Sequence, residues 1–466
     1  MRIAIDMQGT QTGSGIRGIG RYTISMAKAI IKKSNGRHEI IIVLNGFFHD
    51  TIEPLKKEFK TLLSEYSIKI WYAPGQVNYM DAENDFRRKA AELIREAFFE
   101  SLKPDIIWIP SLFEGAYDNA VTSIAAFDKS TPVAVTIHDL IPMMFQDFYL
   151  NHNLRLREHY FEKIEFLKKA SCWLAVSEYT VKEAVRMLEL DESRIAVTYE
   201  GFDSVFSKRE IGKKEELAIK VKFGIKKDFL LHVGIIVDSR KNVDTLLKAF
   251  SILPNELRSG LQLVFAGGNP DFVVNRVRAL AKETDVSEEE LLFTGYVNDD
   301  ELAALYNLCS LSVVPSWYEG FGLPVLEAMA CGTPVICSNV TSLPEVAGNE
   351  NAMFNPHDVQ GILKKITMVI TDNGFRESII NDGFKKVEKF SWDGSAEKAV
   401  KAFEELNNKH SAVSPADRPV KDLIENRDML INKLICKISS IYDKDKNFRH
   451  NDDLKELTVS IVKSFY

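Results

Sequence analysis

Two carboxylates, Glu319 and Glu327, stand with seven residues between them in the stretch Ser316–Pro344, SWYEGFGLPVLEAMACGTPVICSNVTSLP. Their surroundings read as strand, tight loop, helix: Leu311–Val314 is an apolar run that stops at Pro315, Glu319–Gly322 is a glycine-bearing turn, and Leu323–Ala330 has helical apolar spacing. The loop is expected to be exposed. The helix after it aims unpaired backbone N–H groups and its positive dipole end outward, a setting that suits a phosphate. If most of the interval from Glu319 to Glu327 is helical, the carboxylates lie roughly 12 Å apart. That exceeds the about 5 Å of a retaining glycosidase pair and the about 6.5 to 9.5 Å of an inverting one. The spacing suits holding two separate parts of one long ligand.

Other candidates lie earlier in the chain. Gly9–Gly20 contains a G-x-G-x-x-G at Gly13, Gly15 and Gly18, directly after an N-terminal apolar run. A nicotinamide-binding unit would carry an acid at the end of the second strand, where this chain has Asn45. The loop reads instead as one that lets backbone approach a phosphate or an incoming acceptor, with a plain surface turn as the alternative. His138 follows the run Pro132–Ile137. At the carboxyl end of a parallel strand a histidine faces the ligand side of the sheet, and a purely structural role stays open beside that one.

Positioning such groups takes parallel sheet covered by helices. Apolar runs at Arg2–Met7, Glu39–Leu44, Ile68–Tyr72, Pro104–Pro110, Pro132–Ile137, Cys172–Val176 and Ile195–Tyr199 alternate with helical patterns. The alternation restarts with Phe229–Val233, Leu261–Ala266, Leu291–Thr294 and Leu311–Val314. This is an α/β pattern of two doubly wound halves, whose ligand loops would face one another across a cleft. At 466 residues the chain is long enough for two domains, each with its own core. The charged, apolar-poor stretch Ser207–Glu216 marks the expected boundary, giving domains at 1–207 and 208–390. A helix at 391–410 then closes the second half or crosses back to the first, and 411–466 forms a helical extension.

In that extension Pro415 and Pro419 break the chain, and Val420, Ile424, Ile431, Leu434, Ile438 and Ile441 recur at spacings built from threes and fours. An amphipathic or coiled-coil helix is expected, followed by a second helical pattern at Asp453–Lys463. Its apolar face is expected to pack on the parent domain, or to serve docking to a partner, self-association or docking at a membrane surface.

Composition narrows the classes. A net charge of -7, with no basic run interleaved with aromatics, argues against a nucleic-acid partner. The five cysteines are odd in number, lack metal-ligand spacing and sit mostly in apolar runs, so they read as reduced, buried thiols of a cytoplasmic protein. No leader is expected, since Arg2–Met7 already reads as a strand, and no run of roughly 18 apolar residues would span a bilayer.

The block Glu319-Gly-Phe-Gly-Leu-Pro-Val-Leu-Glu327 resembles the E-x7-E signature of family 4 retaining glycosyltransferases. Further pieces agree in order: GIGRYT at Gly18–Thr23, TIHDLIP at Thr136–Pro142, SRKN at Ser239–Asn242 and TSLPEVAG at Thr341–Gly348, so that the resemblance covers roughly residues 1–405. It implies a GT-B architecture of two facing Rossmann-like domains, the first on the acceptor side and the second holding a nucleotide-sugar. Carried over, Glu327 would hydrogen-bond ribose hydroxyls and Glu319 the hydroxyls of the donor sugar, with the backbone N–H groups of Phe321, Gly322 and Leu323 near the donor. Lys241 matches the lysine that neutralises the diphosphate, His138 the histidine near the reacting carbon, and Gly18 a glycine that approaches the phosphates from the first domain. After the glycine equivalent to Gly234 the family often has an arginine as a second phosphate partner. Here that residue is Ile235, and Arg240 either takes the part or points away. Glu200 stands where an asparagine is common.

As the glycosidic C–O bond breaks, negative charge builds on the departing diphosphate, and fixed donors such as Lys241 and helix N–H groups stabilise it. The resemblance implies attack from the leaving-group face and retention of configuration, with neither metal nor other cofactor; no D-x-D-type metal site stands out. RGIGRYT, TIHDLIP and EGFGLPVLEAMACGTPV are similar to bacterial mannosyltransferases of surface-polysaccharide (O-antigen or capsule) assembly. The expected partners are therefore a nucleotide-sugar, GDP-mannose first, and a glycan or lipid-linked saccharide acceptor, met in the cytoplasm or at the inner face of the plasma membrane. The alternatives are a UDP-hexose donor, a GT-B phosphorylase or epimerase, and a non-catalytic partner subunit.

Overall fold

Short runs rich in Ile, Val and Leu form the strands, and the helices between them bury one face each against a sheet. The structure is a computed structural model that describes residues 1–34, 36–237, 239–412, 423–442 and 450–466. By internal contacts the chain divides into two units, Met1–Val176 with Thr180–Thr198 and Trp392–Tyr466, and Ser177–Tyr179 with Tyr199–Ser391.

The first unit contains β1 (Arg2–Asp6), β2 (Glu39–Asn45), β3 (Ile68–Trp71), β4 (Ile106–Ile109), β5 (Val133–Ile137), β6 (Cys172–Ala175) and β7 (Ile195–Val197). They pair in parallel in the order β3-β2-β1-β4-β5-β6-β7. The winding reverses between β1 and β4, which makes their carboxyl ends the switch point of this sheet. At the end of β1 Asp6 is ion-paired with Arg95 at 2.6 Å, both side chains buried. Asn45 spends its amide on Gln8 Oε1 (3.1 Å) and its backbone N–H on Gln11 Oε1 (2.8 Å). The glycine-rich segment is thereby more regular than a surface loop: a helical turn at Gln8–Gln11, a 3-10 turn at Gly13–Ile16, and a helix that begins at Gly18.

The second unit contains β8 (Asp228–Val233), β9 (Leu261–Ala266), β10 (Leu291–Phe293), β11 (Leu311–Val314), β12 (Val335–Ser338) and β13 (Met353–Phe354). Their parallel order is β10-β9-β8-β11-β12-β13, with the reversal between β8 and β11. β12 and β13 are additions to the strands read from the sequence. Leu230, Leu247, Phe250, Phe265 and Ile336 lie in the core of this unit.

The division falls at Thr198/Tyr199 and not at 207/208. The charged stretch that suggested the later boundary runs into the surface helix Lys213–Phe223, which ends on Gly224 in the left-handed region at φ 76. Its charges are a solvated helix face rather than a linker. The helix Trp392–Ala412 crosses back to the first unit, where Glu404 meets His38 at 2.8 Å and the Trp392 ring lies 5.7 Å from that of Tyr22.

The extension forms helices Leu423–Tyr442 and His450–Phe465. Leu430, Ile431, Leu434, Ile438, Leu457 and Phe465 join the core of the first unit, so the apolar face packs on the parent domain. Ser464 Oγ accepts from Tyr72 N–H at 2.9 Å and Ser460 Oγ donates to the Tyr72 carbonyl, which covers the edge beyond β3. Pro415, Pro419 and Val420 lie outside the described residues, as does the side chain of Ile424. Cys172, Cys309, Cys331 and Cys337 are buried free thiols and Cys436 is exposed, a departure from the expectation for that residue. No helix among the described residues is long and apolar enough to cross a membrane.

Candidate functional site

In the second unit the reversal between β8 and β11 gathers most of the residues singled out by the sequence. From β8 the chain enters Gly234 at φ 136, a backbone conformation that favours glycine, and reaches the 3-10 turn Ser239–Lys241. From β11 it passes Pro315 into the loop Ser316–Gly322 and then the helix Leu323–Ala330. Asn242 ties the two segments together. In the left-handed region at φ 54, it donates its amide to the carbonyls of Pro315 (2.9 Å) and Pro356 (2.7 Å).

Glu319 is the centre of the cluster. Its Oε1 accepts from Lys241 Nζ at 2.6 Å and Ser316 Oγ at 2.7 Å, and its Oε2 from Arg240 Nη1 at 2.9 Å. Arg240 also donates to the Tyr318 carbonyl at 2.8 Å. Of the two orientations open to Arg240, the side chain takes the one toward the site. Burial alone would raise the Glu319 carboxyl, but the ammonium of Lys241 and then the guanidinium of Arg240 hold it down to about 2. Glu319 is therefore an ionised acceptor flanked by two cations.

The loop is not exposed. Glu319 is only 7% exposed, because Thr341 and Ser342 draw the turn inward. Glu319 N–H donates to Thr341 Oγ1 at 3.1 Å, and Ser342 Oγ donates to the carbonyls of Glu319 (2.9 Å) and Phe321 (2.7 Å). Phe321 is buried, its ring 5.6 Å from that of Phe390. Gly322 adopts φ 112 as the residue before the helix, and a Cβ there would come within 2.8 Å of Leu343. Leu323 opens the helix, so its N–H has no intrahelical partner.

Glu327 lies in that helix, buried, and accepts from Tyr306 Oη at 3.1 Å. Burial and then the charge of Glu327 push Tyr306 well above the ordinary tyrosine range, which keeps it a donor. The helix starts only at Leu323, so it covers the second half of the interval between the two carboxylates and the loop takes the first. Ser316, Thr341, Ser342 and Tyr306 support the site; the first three lie in stretches noted in the sequence, but none was given a role there. Ser316 had a local signal, a hydroxyl three residues before Glu319.

His138 and Gly18 belong to the first unit. His138 follows β5 with its ring edge-on to that of Tyr22, 4.7 Å away at 84°, and Tyr22 is fixed by a 3.2 Å hydrogen bond to Thr136. Nε2 of His138 lies 2.9 Å from the Pro110 carbonyl. Since a carbonyl can only accept, that nitrogen carries the proton, and a neutral ring keeps Nδ1 as its acceptor. Gly18 is exposed at the first position of its helix. Glu114, buried, accepts from Ser111 (2.7 Å), Thr12 (3.0 Å) and Ser14 (3.2 Å), which clamps the 3-10 turn preceding Gly18. Among the described residues no group of His, Cys, Asp and Glu is placed to hold a metal ion.

What these groups can do is grip a ligand with both hydroxyl-rich and polyanionic parts: one buried carboxylate, two cations, and a helix N-terminus, all at one switch point. Residues 213–386 match the family described as Glycosyl transferases group 1, and residues 16–205 the one described as Glycosyltransferase Family 4. An O-antigen chain mannosyltransferase B of Escherichia coli is 33% identical over 274 residues, 58% of this chain and 70% of that protein. The chain belongs to glycosyltransferase family 4.

The family assignment extends beyond the signature stretch. A serotype-specific mannosyltransferase WbdA of E. coli is 36% identical over 407 residues, 87% of this chain and 48% of that protein. The chain thus spans about half the length of the first curated relatives it matches. Among solved structures, sucrose-phosphate synthase from Thermosynechococcus elongatus superposes with a TM-score of 0.64 at 19% identity, covering 88% of this chain and 100% of that one. Anabaena Alr3699/HepE, solved with UDP and glucose, gives 0.62 at 16% identity over 87% and 100%. These likenesses establish the fold as GT-B, two Rossmann-like domains with a helical C-terminal region.

Proposed function

We propose that this family 4 chain is a retaining glycosyltransferase that moves mannose from GDP-mannose to a glycan or lipid-linked saccharide in bacterial surface-polysaccharide synthesis. The observation that carries the reading is the Lys241–Glu319–Arg240 cluster at the β8/β11 switch point, beside the N-terminus of Leu323–Ala330. The choice of mannose is supported by the E. coli mannosyltransferases, at 33% and 36% identity.

In this reading Glu319 accepts from hydroxyls of the donor sugar and Glu327 from the ribose. Lys241 and Arg240 meet the diphosphate, aided by the N–H groups of Phe321, Gly322 and Leu323, while Gly234 allows close approach of backbone. His138 is assigned to the sugar and Gly18 to the phosphates. The acceptor oxygen forms a bond to the anomeric carbon as the bond from that carbon to the phosphate oxygen breaks, and the acceptor's proton passes to the departing phosphate. No metal is required, because two side-chain cations and the helix end supply the charge. The orientation of Arg240 answers the loss of the usual arginine at Ile235, and this favours a catalytic chain over a non-catalytic partner. The reaction is placed in the cytoplasm or peripherally at the inner face of the plasma membrane.

The test is turnover of GDP-mannose, UDP-glucose, UDP-galactose and UDP-N-acetylglucosamine with methyl α-mannoside, read by mass spectrometry of the saccharide. A gain of one hexose with GDP-mannose, faster than with any UDP-sugar, is expected. Preference for a UDP-sugar would overturn the donor assignment, and nucleotide binding with no saccharide product would overturn the transferase.

A further inference from the structure

A groove of about 830 Å³ lies in the first unit, between the amino ends of β3 and β4 and the two helices of the extension. Lys69, Lys103, Arg427 and Lys463 line it, against one carboxylate, Glu100. That carboxylate is already engaged by Lys433 at 3.3 Å. Among the described residues none of the four lining cations is paired with an acid. Arg427 donates to the Phe465 carbonyl at 2.8 Å, and Lys463 lies over the Tyr72 ring, 5.3 Å from its centroid. In a chain of net charge -7, this is a local concentration of positive charge with its counter-charge missing.

The surface beside the groove selects the kind of anion. The helix His450–Phe465 and the residue after it turn Val459, Val462 and Tyr466 outward at spacings of three and four, 43%, 50% and 74% exposed. Lys455 and Lys463, each four residues from Val459, share that face. Acidic side chains of the helix fall nearer its start, where Arg87 takes up Asp453 at 3.5 Å and Glu456 at 3.1 Å. Tyr66, two residues before the lining residue Ile68, is 87% exposed. A soluble phosphate would use the cations and leave the valines in water. Lysines interleaved with exposed valines and tyrosines fit the headgroup layer of an anionic bilayer instead: the ammonium groups meet lipid phosphates, the tyrosine rings lie at the interface and the valines reach toward the acyl chains.

We propose that this face of the extension docks the chain on a bilayer of anionic phospholipid. Lipid phosphates occupy the groove of Lys69, Lys103, Arg427 and Lys463, and Val459, Val462 and Tyr466 enter the interface. The proposal rests on the peripheral placement of the reading above and adds to it the surface and the lipid class. The groove is at the amino ends of the strands, opposite the switch point of the sheet, so docking there leaves the switch point free for a saccharide.

Flotation of the full chain with vesicles tests this, using phosphatidylcholine alone and an equal mixture of phosphatidylcholine and phosphatidylglycerol. Wild type should float with the mixture and not with phosphatidylcholine, and raising the salt should weaken binding. Lys69→Gln with Lys463→Gln should lower the partition coefficient on the order of 25-fold, at about fivefold per cation. Val459→Ser with Val462→Ser should lower it by about three- to tenfold. Both variants should keep the wild-type melting temperature, because the replaced side chains are not buried, and the wild-type rate with methyl α-mannoside. No flotation of wild type, or equal flotation with the two vesicles, would overturn the proposal and leave the transferase standing. A loss in the lysine variant with none in the valine variant would overturn it in favour of an acidic polypeptide in the groove. A wild-type dimer that the valine variant dissolves without any change in flotation would assign the face to a second copy. Flotation needs neither donor nor acceptor, so a chain that docks as expected and transfers no sugar would remove the transferase alone.

Discussion

Glu319→Ala is expected to abolish transfer and to weaken the fold in the same variant. The side chain is buried and accepts three hydrogen bonds, from Lys241, Ser316 and Arg240. Its removal takes away the group assigned to the donor sugar, for which a loss of about 10²–10³ in kcat is expected, and it strands two half-buried cations. The carboxyl lies at about 2 against an ordinary 4.5, which corresponds to about 3 kcal/mol of folding stability. Because the folded value is the lower one, that stability is fully present above about pH 4.5 and is lost as the pH falls through about 2. Urea titration of wild type and variant checks this: the gap in unfolding free energy should be about 3 kcal/mol at pH 7 and about half that at pH 3. An inactive variant of unaltered stability would return Glu319 to the exposed loop that the sequence suggests.

Lys241→Ala is the second large effect. Its ammonium meets Glu319 at 2.6 Å and lies against Gly234, where a Cβ would stand 3.7 Å from Nζ. Negative charge on the leaving diphosphate grows between ground and transition state, so a cation placed there contributes more to kcat than to donor binding. The expected result is a loss of about 10²–10³ in kcat, with a smaller rise in donor KM, followed by GDP release. Stability should fall less than in Glu319→Ala, since Arg240 still neutralises the carboxylate. A kcat within about twofold of wild type would remove Lys241 from the leaving-group role.

Why some of this was legible in the sequence, and some was not, follows from the range of the interactions. β11 could be read because Leu311–Val314, apolar but for Ser312, ends at a proline, and the helix after it because Gly322 precedes a helical apolar spacing. Both signals are local. The burial of Glu319 depends on Thr341 and Ser342, some twenty residues downstream, and the direction of Arg240 on the Tyr318 carbonyl. Neither can be inferred from a loop that reads as glycine and acid. The regularity of the N-terminal segment has the same origin, since Gln8 and Gln11 are held by Asn45, the residue that stood where a dinucleotide fold needs an acid. His159 and Tyr160 fall in a stretch, Leu154–Lys168, that reads only as a long polar helix. His159 meets the Tyr79 ring at 4.8 Å and Tyr160 the Phe113 ring at 5.1 Å, partners that come from elsewhere in the chain.

The central claim is that the β8/β11 switch point of the second unit holds a nucleotide through Glu327 as well as Glu319. Glu327→Gln alters a buried acceptor whose protein contacts include Tyr306 Oη, and calorimetric titration with GDP reads its effect without any acceptor or turnover. Wild type should bind GDP, and the variant should bind it at least about tenfold more weakly, since a charged acceptor of ribose hydroxyls has been made neutral. Equal dissociation constants for the two proteins would contradict the placement of the donor.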